Sequence, residues 1–134
     1  GMISWPFSEY WLKLILGKKM KHKPRNDLNK KYWTMSYPTN ALIPMAKLVR
    51  EVNKKDYSTV KKPALFYFSM EDKVVNPHKI KEFITKWGGN STTKIVKLSN
   101  KDDKFSHVLA GDIISPNQTD HAKKTMVNWI KNLK

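Results

Sequence analysis

The chain has 134 residues, the length of one ordinary domain, and carries a formal net charge of +15 at pH 7. It contains no cysteine, which excludes disulfides and thiolate chemistry and is compatible with a reducing compartment. No apolar run approaches the roughly 20 residues of a membrane-spanning helix. No basic flank followed by a long apolar core marks a signal peptide. We therefore expect a cytoplasmic protein without a transmembrane segment.

The charge invites a nucleic-acid interpretation, which the distribution of basic residues weakens. Arg25 and Arg50 are the two arginines, and every other basic residue is a lysine. Lysine is poorer than arginine at bidentate recognition of bases and phosphates. The lysines also occur in every segment of the chain. We favour a solvated charged surface over a specific nucleic-acid site, and association with nucleic acid remains a distant alternative.

The N-terminal part, residues 1–60, reads as a helical segment. Ser8–Leu16 predicts a short helix that is apolar on nearly all sides and ends at Gly17. Lys18–Lys31 is polar and basic without periodicity, so we predict a loop. Thr39–Asn53 predicts a longer helix with one apolar stripe, and Pro44 is tolerated in its first turn. We interpret Gly1 as a cloning residue and Met2 as the natural start.

The C-terminal part, residues 61–134, begins with a strand–helix–strand pattern. Ala64–Phe68 is a continuous apolar run that predicts a strand buried on both faces, within about 63–69. Asn76 and Pro77 predict the cap and first residue of a helix that ends at Gly88-Gly89. Thr93–Leu98 predicts a second strand. Such crossovers join parallel strands, so the pattern indicates an α/β fold.

The end of the chain predicts one further helix. A charged loop delivers His107, and Gly111 turns the chain. Thr119 is then the predicted cap of a helix that extends to Leu133. Its predicted buried face contains five apolar residues: Ala122, Met126, Trp129, Ile130 and Leu133.

The two predicted strands bring two polar residues to one edge of the sheet. Asp72 follows the first strand and His107 follows the second. The carboxyl ends of neighbouring parallel strands lie at the same edge, about 5 Å apart. A carboxylate that accepts a hydrogen bond from one ring nitrogen fixes the tautomer of a histidine and leaves the other nitrogen to act as a base. Glu71 is the alternative acid, ranked below Asp72.

These segments resemble a known family. The runs 64–75 and 106–112 look like the C-terminal portion of a serine α/β-hydrolase, closest to its esterase, lipase and lysophospholipase-like members. Residues 32–33 and 37–42 look like the end of the cap in that group. The resemblance implies a partial α/β-hydrolase fold with a helical cap. It also implies that Asp72 is the triad acid and His107 the triad base.

The nucleophile of that family is missing from this sequence. It lies in a G-x-S-x-G elbow, and no pair among the five glycines brackets a serine at that spacing. The oxyanion-hole loop has no counterpart either. We therefore expect a C-terminal portion of an ester hydrolase that is inactive alone, with an ester or lipid-like substrate only in a complete enzyme. A non-catalytic interaction module with a hydrolase-like scaffold is the alternative.

The missing half has consequences for partners. The strand Ala64–Phe68 would have one bare apolar edge, and helices that rest on the missing body would expose apolar faces. We expect a homodimer through this strand edge, with exchange of N-terminal helices as a less favoured arrangement. A partner polypeptide that carries the missing half is another possibility. His22, His78 and His121 are expected on the surface, and no metal or cofactor is expected.

Overall fold

A computed structural model describes residues 17–133 of the chain. The predicted helix Ser8–Leu16 lies outside the described residues. The chain divides into two compact units, Gly1–Lys55 and Asp56–Lys134. The division falls a few residues before the boundary suggested by the sequence, at residues 60 and 61. Residues 17–133 contain no helix with the length and apolar character needed to cross a bilayer.

The first unit contains more regular structure than its sequence predicts. In chain order its elements are β1 (Lys19–Lys21), α1 (Asp27–Tyr32), β2 (Ser36–Pro38), a 3-10 turn (Thr39–Ala41) and α2 (Leu42–Asn53). The two strands pair antiparallel, with Met20 opposite Tyr37. The predicted loop over Lys18–Lys31 is therefore wrong. Helix α1 lies in this segment and has no apolar stripe. It begins at a polar N-cap, where the Asn26 side chain accepts a hydrogen bond from the Asn29 N–H at 2.7 Å.

Helix α2 presents an apolar face to solvent. Pro44 lies in its first turn, where a missing N–H leaves no hydrogen bond unmade. Leu42 and Ala46 are buried, whereas the Met45 and Leu48 side chains are 47% and 64% exposed. The prediction that this helix exposes part of its apolar stripe is confirmed.

The second unit is a two-stranded parallel sheet between two helices. Its elements are β3 (Ala64–Phe68), α3 (Pro77–Thr85), β4 (Ser91–Ile95), a 3-10 turn (Pro116–Gln118) and α4 (Thr119–Lys131). Strands β3 and β4 pair parallel, as predicted, with Phe66 opposite Thr93. Successive side chains of a strand point to opposite faces. Phe66 packs against Phe83 of α3 at a ring distance of 6.1 Å, and Tyr67 contacts His121 of α4.

Strand β4 begins and ends earlier than the predicted span Thr93–Leu98. It covers Ser91–Ile95, and the last ladder bond runs from the Val96 N–H to the Phe68 carbonyl at 2.9 Å. The partner strand ends at Phe68, so the ladder has no acceptor beyond that point. Val96 and Leu98 are nevertheless buried, which explains why their apolar character resembled a strand.

Gly88 and Gly89 have a different role from the predicted one. Helix α3 ends at Thr85, with Lys86 as its C-cap, before the glycines. A β-carbon at Gly88 would lie 1.8 Å from the Ser58 carbonyl oxygen, and one at Gly89 would lie 2.2 Å from that of Lys62. The pair therefore permits close approach of two backbone segments and does not terminate the helix.

Helix α4 also differs from its prediction. Its N-cap is Gln118, and the Thr119 hydroxyl instead accepts a hydrogen bond from the Gly111 N–H at 3.1 Å. Ala122 is buried, but Met126 and Ile130 are 43% and 59% exposed. A two-stranded sheet is too narrow to cover the whole apolar stripe of the helix.

Strand β3 has a bare edge within the described residues, as the sequence predicts. The sheet contains β3 and β4 alone. The Ala64 N–H and the Phe68 carbonyl bond toward β4. Because backbone groups alternate along a strand, those of Leu65 and Tyr67 point to the opposite edge, where residues 17–133 supply no strand.

Candidate active site

Asp72 and His107 form a hydrogen-bonded pair at the carboxyl end of the parallel sheet. The His107 Nδ1 lies 2.9 Å from the Asp72 Oδ2. The predicted geometry, a carboxylate and an imidazole in hydrogen-bond contact on one rim, is confirmed. The acid side chain is 6% exposed and the histidine side chain is 41% exposed. The carboxylate is therefore held inside the rim, and the ring reaches solvent.

The Asp72 carboxylate is held by backbone as well as by the ring. Its Oδ1 accepts hydrogen bonds from the Val74 N–H at 2.7 Å and the Val75 N–H at 2.9 Å. Desolvation by burial acts to raise the pKa of Asp72. The hydrogen bond from His107, the two backbone N–H groups and the charge of the ring outweigh it, so the pKa lies below its ordinary value.

The ionised carboxylate determines which ring nitrogen carries the proton. A carboxylate only accepts hydrogen bonds, so the His107 Nδ1 must donate to it. In the neutral ring, Nε2 then holds the lone pair. Asp72 is the one side chain in residues 17–133 that hydrogen bonds to this ring. Nε2 is thus available to accept a proton from a group outside the described residues.

A second aspartate, Asp103, builds the loop that presents His107. Asp103 is 3% exposed. Its Oδ1 accepts from the Phe105 N–H at 3.0 Å, and its Oδ2 accepts from the N–H groups of His107 at 3.1 Å and Val108 at 2.8 Å. Ser106 adopts a left-handed φ of 52° immediately before the histidine. The Asp103 carboxylate is the acceptor for three backbone N–H groups that such a tight loop would otherwise leave without a hydrogen bond.

Two further contacts fix this loop. The buried Ser115 hydroxyl accepts from the Asp103 N–H at 3.1 Å and donates to the Val108 carbonyl. The Lys73 N–H donates to the Phe105 carbonyl at 2.9 Å, which joins the loop of the acid to the loop of the base. These bonds position the Asp72 carboxylate and the His107 ring relative to one another.

Sequence reasoning missed Asp103 and Ser115. Asp103 lies in a stretch that reads as an ordinary charged loop, and Ser115 precedes Pro116 in what reads as a break. An aspartate a few residues before a candidate catalytic histidine is a weak signal by itself, because aspartate is common in turns. Only the fold shows that both side chains are buried.

The other predicted candidates lie away from the pair. Glu71 is exposed and lies 3.5 Å from the Lys97 ammonium, so Asp72 is the acid that contacts His107. His22, His78 and His121 are exposed, as predicted. Within residues 17–133, no group of three His, Asp or Glu side chains is arranged to hold a metal ion.

Comparison with protein-family models, curated proteins and solved structures finds no match to this chain. The chemistry of the site therefore rests on its own geometry. That geometry consists of a buried carboxylate and an oriented imidazole whose side chain is partly exposed.

Proposed function

We propose that Asp72 and His107 are the acid and base of a Ser-His-Asp ester hydrolase whose nucleophile lies outside this sequence. The observation that carries the proposal is the 2.9 Å contact between Nδ1 and the buried carboxylate, made by a histidine whose side chain is 41% exposed. His107 would take the proton of a serine hydroxyl as it attacks an ester carbonyl. Asp72 would hold the ring in place and stabilise the imidazolium.

The chain by itself lacks two parts that acyl transfer requires. It contains no G-x-S-x-G nucleophile elbow and no family-like oxyanion-hole loop. The purified chain should hydrolyse p-nitrophenyl acetate no faster than its His107→Ala variant. Turnover by the chain alone that is lost in His107→Ala would place the nucleophile within this sequence and contradict the proposal.

The source of the nucleophile can be sought directly. The DNA upstream of the Met2 codon, in any frame or in an adjacent gene, should encode a G-x-S-x-G elbow. The encoded polypeptide, mixed with this chain, should hydrolyse short-chain esters in a reaction that requires both the elbow serine and His107. His22→Ala is the matched control, since His22 is exposed and distant in sequence from both members of the pair. Reconstituted turnover that persists in His107→Ala would refute the role of the dyad.

A non-catalytic interaction module is the second candidate. The exposed apolar face of α2 and the exposed apolar residues of α4 favour it, because such faces are typical of protein contacts. Absence of an elbow upstream of Met2, together with an inert mixture, would select this function. A nucleic-acid role, suggested by the +15 charge alone, would require a salt-dependent shift with nonspecific DNA.

A further inference from the structure

Exposed lysines and exposed apolar side chains lie on the two loops that carry Asp72 and His107. We call this surface the basic apolar rim, and it contains six residues: Lys73, Val74, Val75, Lys97, Lys104 and Phe105. The contacts of the site join them. Val74 and Val75 donate to Asp72, and the Lys73 N–H donates to the Phe105 carbonyl.

The apolar members of the rim are exposed. The Val74 side chain is 60% exposed, Val75 is 43% exposed and Phe105 is 37% exposed. The backbone of this loop is fixed by its bonds to Asp72, so the valines are displayed by an ordered segment. Several adjacent exposed apolar side chains are typical of a surface that contacts a protein partner or a membrane.

The charge of the rim is positive. Lys73, Lys97 and Lys104 are exposed, and the Lys104 ammonium lies 5.2 Å from the centre of the Phe105 ring. Two acids of the adjoining loops, Glu71 and Asp112, have exposed side chains. Glu71 lies 3.5 Å from the Lys97 ammonium, and Asp112 accepts a hydrogen bond from the Thr119 hydroxyl at 3.2 Å. The carboxylates of Asp72 and Asp103 are buried and accept hydrogen bonds within the site.

We propose that the basic apolar rim binds the surface of an anionic lipid bilayer. The valines and Phe105 would enter the boundary between headgroups and acyl chains, and the lysines would contact anionic headgroups. The rim contains no arginine, and exposed valines have no counterpart in phosphate recognition, so a bilayer fits better than a nucleic acid. Binding requires neither the dyad nor a nucleophile, so the inference stands apart from the proposed ester chemistry.

Sedimentation of the full chain with vesicles tests the proposal. The chain should bind phosphatidylcholine vesicles that contain phosphatidylserine and bind pure phosphatidylcholine vesicles at least about tenfold more weakly. A double variant, Lys73→Glu with Lys104→Glu, should weaken binding to the anionic vesicles by at least about tenfold. Its matched control is Lys81→Glu with Lys124→Glu, which makes the same change of net charge on exposed residues of α3 and α4. The control should lose less than about threefold.

A second set of variants tests the contribution of the exposed valines of the rim. Val74→Ser with Val75→Ser should weaken binding by about fivefold, whereas Val127→Ser, at a 42% exposed valine of α4, should have little effect. Equal losses in the two charge pairs would identify general adhesion of a cationic protein and overturn the proposal. A valine pair that binds like the Val127→Ser control would also overturn it. So would a rim charge pair that loses binding to nonspecific DNA while it keeps binding to vesicles.

Discussion

Asp103 positions His107 through a hydrogen bond from the backbone N–H of the histidine. Its carboxylate accepts three N–H groups, from Phe105, His107 and Val108, in a loop that contains the left-handed Ser106. One side chain thus holds the backbone of three residues around the histidine. The Asp72 carboxylate contacts the ring itself, so one aspartate fixes the backbone of His107 and the other fixes its ring.

Replacement of this organising carboxylate should release the loop. Asp103→Ala leaves three N–H groups without their acceptor, and we expect it to cost about 2–4 kcal/mol of unfolding free energy. Amide hydrogen exchange of His107 and Val108 should speed up more than that of strand β3. Asp112→Ala, at an exposed aspartate of the following turn, is the control. Unchanged exchange at His107 in the Asp103 variant would show that the loop is held by other contacts.

Because the pKa of Asp72 is lowered, the stability that this residue contributes should depend on pH. A carboxyl group whose pKa is lower in the folded than in the unfolded state stabilises the fold above the unfolded value, about 4. That contribution is lost as the pH falls through the folded value. The difference in unfolding free energy between the parent chain and Asp72→Asn should thus be largest near neutral pH and shrink below about pH 4. Urea titrations at several pH values measure it.

A pH-independent difference would contradict the lowered pKa of Asp72. Asp120→Asn is the matched control, because it removes one exposed carboxylate from the second unit. The control should differ from the parent chain by less than Asp72→Asn does at neutral pH.

At the scale of elements, the close approach at Gly88 is the contact least able to accept a side chain. Gly88→Ala would place a β-carbon 1.8 Å from the Ser58 carbonyl oxygen, so backbone must move. We expect a loss of at least about 3 kcal/mol in unfolding free energy. Gly111→Ala is the comparison: φ is +119° there, but no atom lies within 4 Å, and a loss of about 1–2 kcal/mol from backbone strain is expected. A Gly88→Ala variant as stable as Gly111→Ala would refute the steric account of the pair.

The sequence predicts the elements that local chemistry determines. Ala64–Phe68 forms the predicted strand and Asn76-Pro77 begins the predicted helix, because strand and capping preferences depend on neighbouring residues. The prediction that the strand is buried on both faces is wrong, since Phe68 is its one buried residue and the other four are half-buried. From the parallel strands it follows that Asp72 and His107 meet. Helix α1 was missed because it is polar and its signal is a cap.

The missed features depend on contacts between distant residues. The end of β4 is set by where β3 ends. Gly88 is required because the backbone of Ser58 passes close to it. The burial of Asp103 depends on Ser115, 12 residues later in the chain. No pattern within a short window contains this information.

At the scale of the whole molecule, the bare edge of β3 is the feature that a partner would cover. A two-stranded sheet is small for an independent core. We propose that β3 pairs antiparallel with its own copy across a two-fold axis, which makes a four-stranded sheet. The net charge of +15 opposes association, but physiological salt limits its range to about 8 Å.

Light scattering should therefore detect a dimer at micromolar concentration. Leu65→Pro removes an N–H from the bare edge and should shift the protein toward monomer. Thr93→Pro is the matched control, because its N–H lies on the outer edge of β4, and it should remain dimeric. A monodisperse parent monomer, or equal dissociation in both variants, would contradict this arrangement.

We infer that Asp72 holds His107 with Nδ1 protonated and Nε2 free to accept a proton. Nitrogen-15 NMR of the histidine rings tests it most directly. In the parent chain at neutral pH, the neutral His107 ring should be the Nδ1–H tautomer, and its Nδ1 proton should be shifted downfield by the carboxylate. The exposed His78 should show the excess of the Nε2–H tautomer that an unconstrained histidine ring favours, and Asp72→Asn should abolish the Nδ1–H preference at His107. A His107 ring that is Nε2-protonated, or that matches His78 in the parent chain, would contradict the account.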